Sequence, residues 1–418
     1  MPEERKNWTD YQLSAAKAEY AQLPVRKNLE IIEPEKKMLT MSDGNRLYTY
    51  CRRPVGPGPF PAIIMRSCYP EQEPVLQLHA AEFSRRGYAF VFQLCRGTGK
   101  SEGQWLPNVN ERSDGKETIA WLAAQSWAGS IGYWGSSYLA LTGWAIGDLL
   151  PDKVKTLYLT HYGTDRFTSA YQCGMFRQDV LTAWAMNNTG HQVTADYEQS
   201  LNYRPHIHVD EALWGGKLDW YRDWISNTSR QDNYWQTGFW KELQDMPARI
   251  RVPVCLGEGW YDHHLGSALR GWEELSGESK KHSVLRIGAW NHGFAPCVKG
   301  IEPQNLNNSD VKNALNWFDS LLQRNEKPDG RVEAYQINAD RWLTLPVYPF
   351  SAASKKTLYL DSRNSSGRAF RLTEQPHDGS AATEYDYDPE NPVRSHGAEA
   401  MLNTMRSVGS LEQPECGY

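Results

Sequence analysis

Short, mainly apolar runs recur along the first three quarters of this chain, with helical patterns between the early ones. Ala62-Ile63-Ile64-Met65, Tyr88-Ala89-Phe90-Val91-Phe92, Lys155-Thr156-Leu157-Tyr158-Leu159, Val252-Pro253-Val254-Cys255-Leu256 and Ser283-Val284-Leu285-Arg286-Ile287 read as strands. Val75 to Arg86 reads as a helix ending at Gly87, a residue suited to the left-handed C-cap. Arg112 to Ala124 reads as another. Strands without polar alternation are buried on both faces, and their alternation with helices implies a mostly parallel, doubly covered sheet. The fold class is therefore α/β.

The alternation stops between about Thr164 and Met246. That stretch is helical and Trp-rich, carrying Trp184, Trp214, Trp220, Trp224, Trp235 and Trp240. It reads as a helical cap inserted over the carboxyl ends of the strands, where α/β ligands bind. After Gln323-Arg324-Asn325, short strand candidates such as Thr357-Leu358-Tyr359-Leu360 are separated by Asn, Ser, Gly, Pro and Asp clusters, an all-β signature. The expected division is an N-terminal arm over 1–35, a core over 36–163 and 247–325, a cap over 164–246, and a β domain over 326–418.

At 418 residues the chain exceeds one small core. A net charge of −5 without a basic cluster argues against a nucleic-acid partner. No apolar run approaches the roughly 18 residues that span a bilayer, so no membrane partner is expected. Met1-Pro2-Glu3-Glu4-Arg5-Lys6 lacks a secretory hydrophobic segment, and the seven cysteines are scattered, odd in number and without C-x-x-C. Reduced thiols in a cytoplasm are the simplest account.

Gly132-Tyr133-Trp134-Gly135-Ser136-Ser137 follows the strand-like Ser130-Ile131 and precedes the apolar helical run Tyr138 to Ile146. A serine at such a strand–turn–helix junction, with Gly135 two residues before it, suits a sharp, strained turn that lifts its hydroxyl above the sheet. The match to G-x-S-x-G is incomplete, since Leu139 stands second after Ser137 and the small residue Ala140 third. Taken alone, Ser137 reads equally well as a helix N-cap.

A serine hydroxyl needs a base, and the base an orienting acid. In an α/β-hydrolase arrangement the chain order is Ser, acid, His. Gly259-Trp260-Tyr261-Asp262 follows the strand Val252–Leu256, and Trp290-Asn291-His292-Gly293 follows the strand Ser283–Ile287. Asp262 could instead cap a helix starting near Leu265, and His292 could be a loop histidine. Order and strand-end placement together favour convergence of Asp262 and His292 on Ser137.

Tyr69, the loop Cys95-Arg96-Gly97-Thr98-Gly99-Lys100-Ser101-Glu102-Gly103, the Gly135–Ala140 turn, Gly259–Asp262 and Trp290–His292 resemble the cocaine esterase / X-Pro dipeptidyl-peptidase family of serine hydrolases. The resemblance covers roughly residues 38–418, including Asp388-Pro389-Glu390-Asn391-Pro392-Val393. It implies an α/β-hydrolase core, a helical cap and a C-terminal jelly-roll, with Ser137 as nucleophile, His292 as base and Asp262 as acid. It also implies an oxyanion hole made by the Tyr138 backbone N–H and the Tyr69 side chain; without the resemblance, Tyr69 reads as a loop aromatic before Pro70.

There are two departures from the family. Members specialised for α-amino esters carry extra carboxylates just after the acid, whereas here His263, His264 and Leu265 follow Asp262. The jelly-roll of the family also runs on past Tyr418, so the β domain is expected to be partial: truncated, completed by another polypeptide, or sparsely stranded from about Lys355 onward.

Gly99-Lys100-Ser101 fails as a phosphate loop because Leu94 stands where a glycine is needed. His206-Ile207-His208 alternates as zinc ligands on a strand would, but lacks a partner cluster. His263 and His264, adjacent on a strand, would point apart, so no metal is expected, and an acyl-enzyme mechanism needs no cofactor. Trp184 is the cap aromatic singled out for the substrate pocket. The expected activity is hydrolysis of a small-molecule ester or amide through an acyl-enzyme, with homo-oligomerisation left open. X-Pro dipeptidyl-peptidase or amide acylase activity is the alternative within the class, and a non-catalytic hydrolase-fold binding protein the alternative outside it.

Overall fold

A computed structural model describes residues 3–25, 28–297, 303–349, 354–361, 371–376 and 386–390. Ten strands form its central sheet: β1 (Glu35–Thr40), β2 (Arg46–Arg52), β3 (Phe60–Ser67), β4 (Ala89–Leu94), β5 (Ala128–Ser136), β6 (Val154–Thr160), β7 (Val254–Tyr261), β8 (Val284–Asn291), β9 (Arg331–Gln336) and β10 (Arg341–Leu345). Their spatial order is β1-β2-β4-β3-β5-β6-β7-β8-β9-β10. Neighbours from β4 to β9 run parallel, while β1, β2 and β10 are antiparallel to the strands they join.

The apolar runs become strands because the sheet is covered on both faces. In β3, Ile63 and Met65 face one layer while Ala62 and Ile64 face the other. The first layer is built from helices α1 (Glu3–Gln22), α2 (Glu73–Arg85) and a later helix, Asp310–Phe318, which contribute Tyr20, Leu76, Phe83, Val311 and Phe318. The second is built from α3 (Glu111–Ala123) and α4 (Tyr138–Trp144), which contribute Ile119, Leu122, Leu141 and Trp144. All six residues of β4 are buried, and each large apolar side chain so covered contributes about 1.5–3 kcal/mol. Gly87 ends α2 with a φ of 98°, the left-handed turn its position requires.

Between β6 and β7 the chain leaves the sheet for short helices, among them Arg166–Ala170, Ala183–Asn187, Asp219–Ser226 and Gly238–Asp245. The buried Trp214, Trp224, Trp235 and Trp240 join the same apolar cluster as the second layer, so the tryptophans bind the insertion to the core. His206–His208 forms a 3-10 turn rather than a strand, and the His206 ring is engaged by Thr182 and Tyr221.

The C-terminal boundary differs from expectation. Residues 331–345, assigned to a separate β domain from 326 onward, instead extend the hydrolase sheet. Val284 of β8 pairs with Arg331, and the buried Val332, Ala334 and Tyr335 cover the sheet edge that β8 would otherwise leave open. Beyond β10 the described pairing is a hairpin, Tyr359–Asp361 with Arg371–Thr373, whose Leu360 and Leu372 are exposed. Most of the segment expected to carry a jelly-roll, including Asn391-Pro392-Val393, lies outside the described residues. Among those described, no helix is long and apolar enough to cross a membrane.

Candidate active site

Strand β5 runs straight into Ser137, whose φ of 56° and ψ of −127° lie in a region that costs an L-residue energy. The turn holds because its surroundings are fixed. The Ser137 N–H donates to the Thr160 carbonyl (2.9 Å), and α4 begins at the next residue. Any Cβ at residue 135 would stand 2.0 Å from the Leu139 carbonyl oxygen, so glycine is required there. The Tyr138 hydroxyl is anchored below the turn by Glu111 (2.9 Å), which also pairs with the buried Arg66.

The three residues expected to converge do so. His292 Nε2 lies 2.8 Å from Ser137 Oγ, and His292 Nδ1 lies 2.9 Å from Asp262 Oδ2. The second carboxylate oxygen accepts the His264 N–H at 2.7 Å, so Asp262 also secures the turn leading into the helix Leu265–Glu274. Asp262 does not itself cap that helix, whose N-cap is His264. Burial would raise its carboxyl, but the charge and hydrogen bond of His292, with His263 and His161 nearby, hold it well below the usual carboxylate range.

Tyr69 stands just before a 3-10 turn begun by Pro70 and lines the cleft over Ser137. Its oxygen accepts the Trp184 indole N–H at 2.9 Å, and its hydroxyl also meets the Cys68 thiol, a weak acceptor. Burial, with the neighbouring Cys68, pushes this phenol well above its ordinary range, so it stays protonated. Trp184 stacks on Tyr138, with ring centroids 6.1 Å apart and planes 9° from parallel. Tyr69, Ser137, Tyr138, Trp184, His263 and His264 all line this cleft.

Several site residues were not anticipated. His161, the first residue after β6, holds a φ of 57° and bonds the His292 carbonyl through Nδ1, which also lies 3.5 Å from Asp262 Oδ2. Burial lowers its pKa to about 4, so the ring is neutral. Glu258 is wholly buried in β7; burial first and the Asp262 charge second push its carboxyl well above the usual range, keeping it neutral beside the ionised Asp262. Placement at a strand's carboxyl end was the available signal for His161; nothing in the sequence marked Glu258.

His263 and His264 do not point apart, because they occupy a turn rather than a strand. Their rings are 4.1 Å apart, and both approach His292, at 4.8 and 5.6 Å. The sets His263, His264, His292 and His161, Asp262, His292 each bring one ligand atom per residue within 4.8 Å of the others. Both sets share His292, whose nitrogens are already engaged by Ser137 and Asp262.

A serine at a strained strand-to-helix turn, on a ten-stranded sheet of this order, defines an α/β-hydrolase enzyme. The chain belongs to the X-Pro dipeptidyl-peptidase (S15 family), whose sequence profile matches residues 43–294, more than half of it. It is 24% identical to the cocaine esterase of Rhodococcus sp. (strain MB1 Bresler) over 406 residues, 88% of this chain and 69% of that one. Solved structures with the same fold include an α-amino acid ester hydrolase (TM-score 0.72, 22% identity, 92% of this chain and 70% of that one). An aminopeptidase from a marine sediment Thaumarchaeota archaeon is similar to the same degree (TM-score 0.72, 19% identity, 92% and 68%).

Proposed function

We propose that this hydrolase is a serine esterase working through a covalent acyl-enzyme. The observation that carries this reading is the unbroken hydrogen-bonded chain from Ser137 Oγ through His292 to Asp262. His292 takes the Ser137 proton as Oγ attacks the ester carbonyl, then returns it to the leaving alcohol. Asp262 orients the imidazole and stabilises its cation. The Tyr138 N–H and the Tyr69 hydroxyl donate to the developing oxyanion. Water then repeats the sequence on the acyl-enzyme and frees Ser137.

The names of two relatives, a cocaine esterase and an α-amino acid ester hydrolase, support ester cleavage. Peptidase action on a free amino terminus needs a carboxylate to hold the ammonium, and no Asp or Glu stands among the cleft-lining residues. The buried thiols Cys51, Cys68, Cys95 and Cys255 support a reducing, cytoplasmic setting.

The test is labelling by a fluorophosphonate probe, expected for the native chain and absent in Ser137→Ala, beside a panel of nitrophenyl esters and an X-Pro anilide. Ester turnover with no anilide cleavage is the expected result. Anilide cleavage as fast as ester cleavage would overturn the esterase reading in favour of the peptidase one. Absence of labelling together with absence of turnover would leave a non-catalytic binding protein.

A further inference from the structure

We infer that the cleft beside Ser137 selects an ester that carries a second, anionic group, a free carboxylate held by Arg166. This rests on the esterase reading above and adds to it the substrate class.

Arg166 lines the same cleft as Ser137 and is only 6% exposed. A buried guanidinium is normally matched by a carboxylate. Among the described residues Arg166 forms no ion pair, and its Nε has no hydrogen-bond partner. The adjacent carboxylate, Asp165, is turned away to Arg230 (2.6 Å) and Arg270 (3.1 Å). What holds Arg166 is the face of Trp224, with the guanidinium carbon 4.5 Å from a ring centroid. Stacking of this kind fixes the plane of a guanidinium, and beyond the neighbouring Tyr162 hydroxyl its N–H groups meet no acceptor that would neutralise the charge.

The rest of the wall has the same character. Asn108 Nδ2 is buried on the cleft without a hydrogen-bond partner, and the Tyr162 hydroxyl, beside Arg166, has no acceptor for its own proton. The Tyr162 phenol lies close enough to Arg166 for its charge to oppose the upward push of burial. Burial holds His263 and His264 neutral, so the positive charge of the cleft resides on Arg166. A fixed cation flanked by donors that lack acceptors, with no acidic side chain on the wall, matches a ligand that brings acceptors and negative charge.

The carboxylate could belong to the acyl group or to the leaving group, and two matched substrate pairs separate these. On the acyl side, para-nitrophenyl hemiglutarate is compared with para-nitrophenyl valerate. On the leaving-group side, para-carboxyphenyl acetate is compared with its methyl ester. We expect the charged member of at least one pair to have a kcat/KM about tenfold or more above its neutral partner. In Arg166→Gln that ratio should collapse towards one, and Arg166→Lys should restore part of it. A ratio near one in both pairs, or a ratio unmoved by Arg166→Gln, overturns the proposal. If the variant does not fold, inhibition of the native chain serves instead: glutarate should compete with a neutral ester and glutaramide should not, and equal inhibition by both overturns it. Calorimetric titration of Ser137→Ala with glutarate needs no turnover. Binding there without ester hydrolysis by the native chain would sink only the esterase reading; neutral-ester turnover without glutarate binding would sink only this one.

Discussion

The indole N–H of Trp184, in the helical insertion, donates a 2.9 Å hydrogen bond to the phenol oxygen of Tyr69, in the core. The bond occupies an acceptor site of the phenol oxygen and leaves its O–H to act as the donor. Tyr69→Phe should therefore lower turnover about 10²-fold while leaving fluorophosphonate labelling intact, the usual cost of losing one oxyanion donor. Trp184→Phe, which keeps an aromatic ring but loses the N–H, should lower kcat less, by about tenfold or under. Steady-state kinetics on a nitrophenyl ester reads both. Unchanged turnover in Tyr69→Phe would mean that the second donor lies elsewhere.

Gly135→Ala should damage the turn itself. The new methyl would meet backbone at 2.0 Å from the Leu139 oxygen and 2.6 Å from the Ala140 nitrogen, and neither can yield without displacing α4. Destabilisation of about 3 kcal/mol or more is expected, together with loss of probe labelling. A melting temperature equal to that of the native chain would contradict the geometry.

Asp262 and Glu258 are close, buried carboxyls with opposite charge states. Asp262→Asn removes the acceptor that sets the His292 tautomer, and kcat should fall about 10³–10⁴-fold. Glu258→Gln replaces a neutral acid by a neutral amide, and should leave kcat within about threefold and the fold intact. A large loss of activity in Glu258→Gln would show that Glu258 carries charge.

Asp310 gives the fold a pH dependence. Burial, with Glu19 nearby, raises its carboxyl from 3.8 to about 7. Between roughly pH 4 and pH 7 the folded chain binds a proton that the unfolded chain releases, so this residue's contribution to stability falls as pH rises through that window. The difference amounts to a few kcal/mol, of order 2–4. Asp310→Asn keeps an acceptor for Trp134, which bonds Asp310 Oδ2 at 3.3 Å, and leaves the helix cap to Ser309. Its melting temperature should exceed that of the native chain by more at pH 8 than at pH 5. A gap that does not change with pH would remove Asp310 from the account.

The core and the candidate triad were legible because each leaves a local signature. Apolar runs mark strands covered on both faces, and Ser137 sits where strand pattern gives way to helix pattern. Strand ends were less legible. β7 was expected to stop at Leu256 and β8 at Ile287, but they continue to Tyr261 and Asn291. The added residues include Gly257, Glu258, Gly259 and Gly288, types with poor strand propensity that only burial and pairing hold in place. Arg331–Leu345 looked like the opening of another domain because sequence pattern does not state which edge a strand joins. The approach of His161, His263 and His264 to His292 depends on turn geometry that no spacing rule encodes.

The chain's order has a consequence for how such an enzyme diversifies. Ser137, Asp262 and His292 all leave the carboxyl ends of sheet strands, whereas Arg166, Val180, Leu181 and Trp184 reach the cleft from the single excursion between β6 and β7. One wall of the cleft is thus written in a single stretch of the polypeptide, while Tyr69, Asn108, His263 and His264 supply the other from the core. Exchanging the stretch between Gly163 and Val254 for that of a relative would carry most of one cleft wall with it. The graft would have to keep an indole at position 184, since that N–H is what meets Tyr69 from the insertion. A lid can be inherited from elsewhere only with the residue that locks it to the sheet beneath.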